Sequence, residues 1–348
     1  MKLVFAVVAG IGGVAALVVA YRRQRVAEHA NALAKFAHEL AHAADLRADV
    51  TKALAEAADE RAKIETDRNG VRLFNERFTK ASEQLGSEKA AVRLAGVYAM
   101  AGLADDWREG RQTCIDVLCA YIRLPYLPVP VVSEEAPAQS HDQLPILGAD
   151  AVRSSHEERE VRHTVIRLIG RHLRLAEEDA TSWRGYDFDF SGAVFDGGDF
   201  SGTTFSGGEV SFAGVNFSGG ETSFAGATFS GGGLNFNRAT FAGGRVYFDW
   251  ATFSGAVVHF GRASFADGDV FFDGATFSDG LVPFGGATFS GGMVSFTGAT
   301  FSGADVDFSG ARFCGGEVTF DGARFRTPPK FDSWSDKNPP DGLILPEA

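Results

Sequence analysis

Phenylalanine recurs along the C-terminal part of the chain at two alternating intervals, separated by small and polar residues. Phe190, Phe195, Phe200 and Phe205 are five residues apart, and from Phe205 to Phe325 the interval alternates between seven and five without a break. This stretch contains ten units of twelve residues. Neither the helical period of 3.6 residues nor the strand period of two produces such a rhythm, whereas the stacked coils of a solenoid do.

The alternating phenylalanines are predicted to form the inward core of this solenoid. Burying one such side chain stabilises a fold by about 1.5–3 kcal/mol relative to leaving it exposed, so a structural role is the natural interpretation. The predicted core ladder is Phe205, Phe212, Phe217, Phe224, Phe229, Phe236, Phe241, Phe248, Phe253, Phe260, Phe265, Phe272, Phe277, Phe284, Phe289, Phe296, Phe301, Phe308, Phe313, Phe320 and Phe325.

The two halves of each unit have their own sequence patterns. One half reads Ala-Thr-Phe-Ser-Gly, as at 227–231, and the other reads Val-x-Phe-x-Gly, as at 294–298. These patterns resemble the pentapeptide repeat, in which a central Leu or Phe and a small residue two positions earlier point inward. The resemblance implies a right-handed four-sided β-helix with glycine at corners that need positive φ. Two regular and two lengthened sides give 24 residues per coil, hence about five coils plus one from residues 186–205. A two-sided coil of 12 residues is the alternative.

The N-terminus carries an apolar run followed by positive charge. Residues 3–21 are uncharged and almost wholly apolar, and Arg22, Arg23 and Arg25 follow at once. A helix of that length spans roughly 28 Å, close to the hydrocarbon core of a bilayer. Charge behind the apolar run predicts a retained single-pass anchor at residues 1–21 rather than a cleaved signal peptide. The positive-inside rule then places the bulk of the chain in the cytoplasm, at the inner or plasma membrane. Small residues four apart in the anchor would let two anchors pack closely, which is compatible with a homo-oligomer.

Residues 22–69 are rich in helix-forming residues and contain neither proline nor glycine before the Asn69-Gly70 pair. They predict a long solvated helical stalk that stops at this turn signal. Its apolar side is predicted at Val26, Leu33, Phe36 and Leu40.

The stalk contains the string HELAH at residues 38–42. It matches HExxH, in which two histidines one turn apart hold zinc and the glutamate activates water. A zinc peptidase using His38, Glu39 and His42 is therefore a minor alternative. No third ligand follows at a suitable spacing, and the apolar heptad of the stalk places both histidines on the opposite, solvated side. We expect no bound metal.

Between the stalk and the repeat, three amphipathic segments with short loops predict a small helical module at residues 71–125. Ser87 is predicted to cap its second helix. Residues 74–104 are similar to the helical segment that precedes pentapeptide repeats in membrane-anchored proteins of actinobacteria. This resemblance is specific about architecture and implies no common activity. The other segments are predicted as a proline-rich linker (126–151), an amphipathic helix (152–180) that packs on the module or covers the repeat, the β-helix (184–331) and a C-terminal tail (332–348).

The charge balance bears on the partner. The chain has a net charge of −12, and residues 184–331 contain fifteen acidic against eight basic residues. This argues against a nucleic-acid partner. Some pentapeptide-repeat proteins imitate DNA with an acidic rod and occupy a topoisomerase, so an acidic DNA mimic is the main alternative function. The scattered acids and the anchor oppose it. Regular outward threonines also permit ice binding, although strand propensity explains them equally well.

Three cysteines, Cys114, Cys119 and Cys314, form no recognisable disulfide or zinc pattern and suit a reducing compartment. No catalytic constellation and no cofactor motif emerges from the sequence. The pattern as a whole predicts a non-enzymatic, membrane-tethered scaffold whose rigid β-helix meets an unknown protein partner through its outward residues.

Overall fold

The structure, a computed structural model, describes residues 2–128, 149–255, 257–332 and 339–345, with backbone alone for residues 2–12 and 15. The chain divides into two compact units, Met1–Leu73 and Phe74–Ala348. Most of the predicted linker, residues 129–148, lies outside the described residues.

Four α-helices precede the strands: α1 (Lys2–Leu85), α2 (Ala90–Asp106), α3 (Arg111–Arg123) and α4 (Ala149–Arg174), with a 3-10 turn at Arg108–Gly110. The predicted stop at Asn69-Gly70 is wrong, because α1 continues through both residues. A single interior glycine costs a helix only about 1 kcal/mol relative to alanine, which the strong helix formers on both sides offset. The helix ends instead at Leu85, just before Gly86.

The first unit is helical wherever it is described. The predicted apolar positions Val26, Leu33, Phe36 and Leu40 are all exposed. Within the described residues, none of the helices has a stretch apolar and long enough to cross a bilayer. The side chains at 1–12 and 15, which include much of the predicted anchor, lie outside the described part of the chain.

In the second unit, α2, α3 and α4 share one buried core with the start of the repeat. The predicted apolar side of the last helix is buried, with Val161, Val165 and Ile169 fully covered. Ser87 does not cap α2 as predicted, since the helix begins at Ala90 and the Ser87 hydroxyl accepts a hydrogen bond from the Lys89 amide (3.3 Å).

The repeat folds as a β-solenoid of six coils with four short strands in each coil. The strands are, coil by coil, β1 (Phe188–Asp189), β2 (Val194–Phe195), β3 (Gly198–Asp199), β4 (Thr204–Ser206); β5 (Val210–Ser211), β6 (Asn216–Phe217), β7 (Glu221–Ser223), β8 (Thr228–Ser230); β9 (Gly233–Asn235), β10 (Thr240–Phe241), β11 (Arg245–Tyr247), β12 (Thr252–Ser254); β13 (Val257–His259), β14 (Ser264–Phe265), β15 (Asp269–Phe271), β16 (Thr276–Phe277); β17 (Leu281–Pro283), β18 (Thr288–Phe289), β19 (Met293–Ser295), β20 (Thr300–Phe301); β21 (Asp305–Asp307), β22 (Arg312–Phe313), β23 (Glu317–Thr319) and β24 (Arg324–Phe325). A last strand, β25 (Leu343–Ile344), follows.

Each coil contributes one strand to each of four faces, named A to D in chain order, so that β1, β5 and β9 lie on face A and β4, β8 and β12 lie on face D. All neighbours pair in parallel. Thr228 pairs with Thr252, and Thr252 with Thr276, which confirms the predicted 24 residues per coil. The two-sided alternative is excluded, because it would pair residues 12 apart. The first coil is two residues shorter than the others, because its connection from face B to face C is shorter. Phe188 therefore pairs with Val210 and Val194 with Asn216, whereas Gly198 already pairs with Thr222, 24 residues away.

The phenylalanine ladder fills the interior in four columns, one behind each face. Rings in neighbouring coils stack almost parallel at the distance between strands, for example Phe248 on Phe272 with ring centroids 4.8 Å apart. Columns behind opposite faces meet edge to face, as Phe260 behind face A does with Phe272 behind face C at 88°. Every predicted ladder residue is buried except Phe313 and Phe325 in the last coil, which are partly buried.

Helices α3 and α4 cover the N-terminal end of the solenoid. Both arrangements that the sequence left open for the last helix occur together, since α4 packs on α2 and α3 and also on β3. Ile166 of α4 packs on Gly198 of β3, and α4 approaches the same strand so closely that a Cβ at Gly170 would lie 2.8 Å from the Asp199 carbonyl oxygen. The Gln112 side-chain amide of α3 accepts from the Asp187 N–H and donates to its carbonyl, both at 3.0 Å. Helical side chains thus satisfy backbone groups that the first coil would otherwise leave unpaired.

The C-terminal end is covered by extended chain. Phe331 stacks on Phe308 behind face A (5.1 Å), and β25 pairs with β23 on face C. Residues 343–344 of the predicted tail therefore belong to the sheet. Residues 333–338 and 346–348 lie outside the described residues.

Candidate binding surfaces on the solenoid

The HELAH string, the basis of the minor zinc-peptidase alternative, is fully helical. His38, Glu39 and His42 all lie exposed on α1. Among the described residues, no group of three or more histidine, cysteine or acidic side chains is placed to hold a metal ion.

The cysteines divide into two buried and one exposed. Cys114 and Cys119 lie on α3 and are buried in the hydrophobic core, and Cys314 is exposed on the last coil. Burial raises the pKa of the Cys114 thiol to about 11, against a smaller lowering by the charge of Arg77. Burial likewise raises the pKa of Cys119. Neither buried thiol is therefore a nucleophile at neutral pH.

Face D presents the most regular outer surface. Its outward residues before each core phenylalanine are threonines from Thr204 to Thr300, and serines follow the phenylalanine from Ser206 to Ser302. These small side chains offer no cleft and no unsatisfied charge. The strand propensity of β-branched residues is enough to explain why threonine recurs on this exposed face.

The corners carry the clearest departure from regularity. Two residues after the core phenylalanine of faces A and C, the backbone always adopts positive φ. Glycine occupies this position at 192, 202, 214, 226, 274, 286, 298, 310 and 322. The remaining three positions are Arg238, Trp250 and Arg262, each with φ of 58°. A non-glycine residue in this conformation costs roughly 1–2 kcal/mol, so three consecutive units keep large side chains against a local strain.

Trp250 belongs to an aromatic patch on face C and its corner, which we define as Tyr247, Trp250 and Phe271. Tyr247 and Phe271 stack outward on neighbouring coils with ring centroids 5.3 Å apart. Trp250 is 75% exposed. Its ring leans over the next coil, since a Cβ at Gly274 would lie 2.7 Å from it. Most other outward positions of this solenoid hold small or charged residues, so the patch is a local concentration of apolar surface.

Charged groups flank the aromatic patch. Arg245 lies between Glu221 (3.6 Å) and Asp269 (4.0 Å) on the coils below and above it. Arg245 and Glu221 are exposed and Asp269 is partly exposed, and such surface pairs contribute little to stability. At the corner, burial and then the neighbouring charge of Asp273 raise the pKa of Asp249. The patch is thus rimmed by groups of both signs.

The acids of the first coil are engaged rather than free. Asp189 pairs with Arg123, and Asp199 accepts from Arg174 at 2.8 Å. Asp196 accepts hydrogen bonds from His163 (3.0 Å), Arg159 (3.0 Å) and the Tyr126 hydroxyl (2.9 Å). Burial by itself would raise the pKa of Asp196, but the hydrogen bonds from His163 and Tyr126 and the charges of His163 and Arg159 outweigh it and hold the pKa below its ordinary value.

Comparison of the chain with known protein families, with curated proteins and with solved structures found no match. The stacked coils with a regularly spaced inward phenylalanine fit a pentapeptide-repeat protein in general. The repeat pattern places Tyr247 and Phe271 outward, but the features that the units share do not single out Arg238, Trp250 or Arg262. The sequence nevertheless marks these three residues, because each of them replaces a glycine that otherwise recurs every twelve residues.

Proposed function

We propose that this chain is a non-enzymatic scaffold whose solenoid binds a protein partner through the aromatic patch of Tyr247, Trp250 and Phe271. The observation that carries the proposal is Trp250, which is exposed and held at positive φ where most other units have glycine. Tryptophan, tyrosine and arginine dominate the binding energy of protein interfaces, especially where a polar rim surrounds them. Glu221, Arg245 and Asp269 provide such a rim.

The solenoid suits this task because its surface is rigid. Parallel backbone hydrogen bonds and stacked rings join each coil to the next, so the patch is pre-organised and loses little entropy on binding. Tyr247 and Phe271 are held by strands β11 and β15 rather than by a loop.

We propose further that residues 3–21 tether the scaffold to a membrane, as in the membrane-anchored actinobacterial proteins that the helical segment resembles. The apolar run and the arginines behind it support this arrangement, with the solenoid in the cytoplasm. Cys314 provides the test, since it is exposed on the solenoid. An impermeant thiol reagent should label it in permeabilised cells and not in intact ones; labelling in intact cells would reverse the orientation.

The alternative of an acidic DNA mimic receives less support. Asp189, Asp196 and Asp199 are paired with residues of the helices, so they do not contribute to a free acidic face. The mimic predicts that the chain inhibits gyrase supercoiling at micromolar concentration, and the scaffold predicts no inhibition.

The partner proposal is tested by giving the patch the residues of its neighbours. In the same positions, adjacent coils carry Ser223, Ser295, Gly226 and Gly274. The triple variant Y247S/W250G/F271S therefore keeps the fold while removing the aromatic surface. We expect quantitative proximity labelling around the full chain to lose its enriched protein partner in this variant.

A matched control removes an apolar side chain elsewhere on the solenoid. Leu281 is exposed on face A, and Leu281→Ser should leave the enriched partner unchanged. Equal enrichment by wild type and the triple variant, or equal loss in the control, would remove the patch as the binding surface.

A further inference from the structure

Arg238 and Arg262 occupy the same corner, between faces A and B, on two neighbouring coils. They are 24 residues apart, as paired positions of the solenoid are, and each stands where the coils on either side have Gly214 and Gly286. Two arginines therefore project from one edge at about the 4.8 Å spacing between strands. This corner lies on the opposite side of the coil from Trp250, so it is a surface separate from the aromatic patch.

A groove of about 560 Å³ runs along this corner. Its polar lining comes from Arg238, Arg262, Asn235 and Asn237, and the rest of the lining is glycine and alanine. No acidic residue lines it, although the chain carries a net charge of −12. Within the described part of the chain, neither guanidinium has an ion pair or a side-chain hydrogen bond. The solenoid thus exposes two unpaired cations together in an acidic molecule.

The glycines of the corner keep the groove open. A Cβ at Gly261 would lie 2.7 Å from Oδ1 of Asn237, and a Cβ at Gly286 would lie 3.4 Å from Cγ of Arg262. The side chains of Asn237 and Arg262 therefore extend along the solenoid axis and lie over the glycine of the next coil. The backbone N–H groups of Arg238 and Arg262 donate hydrogen bonds to the carbonyl oxygens of Gly261 and Gly285, both at 3.0 Å. The donors available to a ligand are consequently the guanidinium and amide side chains.

We infer that this groove binds the phosphate group of a phosphate monoester. A guanidinium presents a planar fork of donors that suits phosphate and carboxylate oxygens. Two such forks on adjacent coils, together with the Asn235 and Asn237 amides, match an anion with three acceptor oxygens and two negative charges better than a two-oxygen carboxylate. The strain at both arginines supports a binding role, because glycine would satisfy the backbone at lower cost. This inference does not depend on the proposed protein partner.

Calorimetric titration of the full chain at constant ionic strength tests the assignment. Phenyl phosphate and glutarate are the two probes, because both are dianions at about pH 8 and differ in the geometry of their oxygens. We expect phenyl phosphate to bind at least about tenfold more tightly than glutarate. The double variant R238G/R262G, which carries the glycine of the other coils, should weaken phenyl phosphate binding by about tenfold or more.

The control removes two arginines from other places on the solenoid. Arg312 and Arg324 are exposed in the columns of Thr288 and Thr300, so R312T/R324T makes the same change in net charge within the pattern of the fold. Its affinity for phenyl phosphate should stay within about twofold of wild type, since long-range attraction between exposed charges is screened by salt. Unchanged affinity in R238G/R262G, an equal loss in the control, or equally tight glutarate binding would each overturn the assignment.

Discussion

The two ends of the solenoid are completed in different ways. At the N-terminal end, α3 and α4 lie across the first coil, and their side chains pair with Asp189, Asp196 and Asp199. At the C-terminal end, Phe331 and β25 cover faces A and C, and Phe313 and Phe325 behind the other two faces stay partly exposed. The difference predicts that identical core residues contribute unequally to stability, depending on what covers the coil they belong to.

The largest expected effect comes from replacing a core phenylalanine by alanine. One column of the core allows the same replacement at both ends of the solenoid. Phe195 is buried in the first coil and Phe313 is half-buried in the last. Phe195→Ala should lower the free energy of unfolding by about 3–5 kcal/mol, and Phe313→Ala by about half as much, because part of that ring is already hydrated. Urea denaturation of the two variants measures both losses. Equal losses would mean that both ends are packed alike.

A second prediction concerns the close approach of α4 to the first coil. Gly170→Ala should lower the free energy of unfolding by about 1–3 kcal/mol, since its Cβ would lie 2.8 Å from the Asp199 carbonyl oxygen and α4 would have to shift. The matched control is Gly102→Ala in α2, where a Cβ meets nothing within 4 Å. There the same change should stabilise the chain by up to about 1 kcal/mol through helix propensity. Thermal denaturation should therefore shift in opposite directions, and a shared direction would refute the steric explanation.

The aspartates at the helix-covered N-terminal end predict that the stability of the fold depends on pH. The pKa of Asp196 is lowered in the folded chain, so its contribution is present above the unfolded pKa of about 3.9 and is lost as pH falls through the folded pKa. Asp196→Asn should cost about 1–2 kcal/mol near neutral pH and less as the solution is acidified below about pH 4.

Denaturation curves of wild type and Asp196→Asn between neutral and acid pH measure this convergence. The exposed Asp279, far from the helices along the chain, serves as control, and Asp279→Asn should change the free energy of unfolding by less than about 0.5 kcal/mol. A constant gap between wild type and Asp196→Asn at all pH values would contradict the linkage.

The smallest effect is expected from Trp250→Gly in the middle coils, away from both ends. Trp250→Gly should leave stability unchanged or raise it by up to about 1 kcal/mol, because glycine relieves the positive φ. The reverse change, Gly226→Trp at the equivalent corner, should lower stability by about 1–2 kcal/mol. A clear loss in Trp250→Gly would show that the side chain stabilises the coil and was retained for packing.

Much of the solenoid could be predicted from the sequence because one residue type marks every side. The seven-and-five rhythm of phenylalanine specifies a unit of twelve residues, and the resemblance to the pentapeptide repeat implies two such units per coil. The pairing of residues 24 apart is what excludes the two-sided coil. The covering of the first coil could not be derived in this way. It depends on which face of α4 meets β3, and that contact joins residues such as Ile166 and Gly198 whose spacing carries no period.

Two other differences have simple physical causes. Asn69-Gly70 is a strong turn signal in isolation, yet one glycine costs too little to end a long helix. The corners at Arg238, Trp250 and Arg262 do not follow from the features that the repeat units share. Each is marked instead by its departure from a recurrent glycine, and only the φ of 58° shows that this departure carries strain.

The pairing of residues 24 apart also limits how such a gene can grow. Duplicating or deleting one whole coil leaves every remaining residue on its own face, so the solenoid changes length without changing its surfaces. Duplicating half a coil would still satisfy the core, because the two halves share one pattern, but everything beyond the insertion would exchange face A for face C. The arginine corner and the tryptophan corner would then trade sides relative to the helices, and the molecule would present its surfaces in the opposite order.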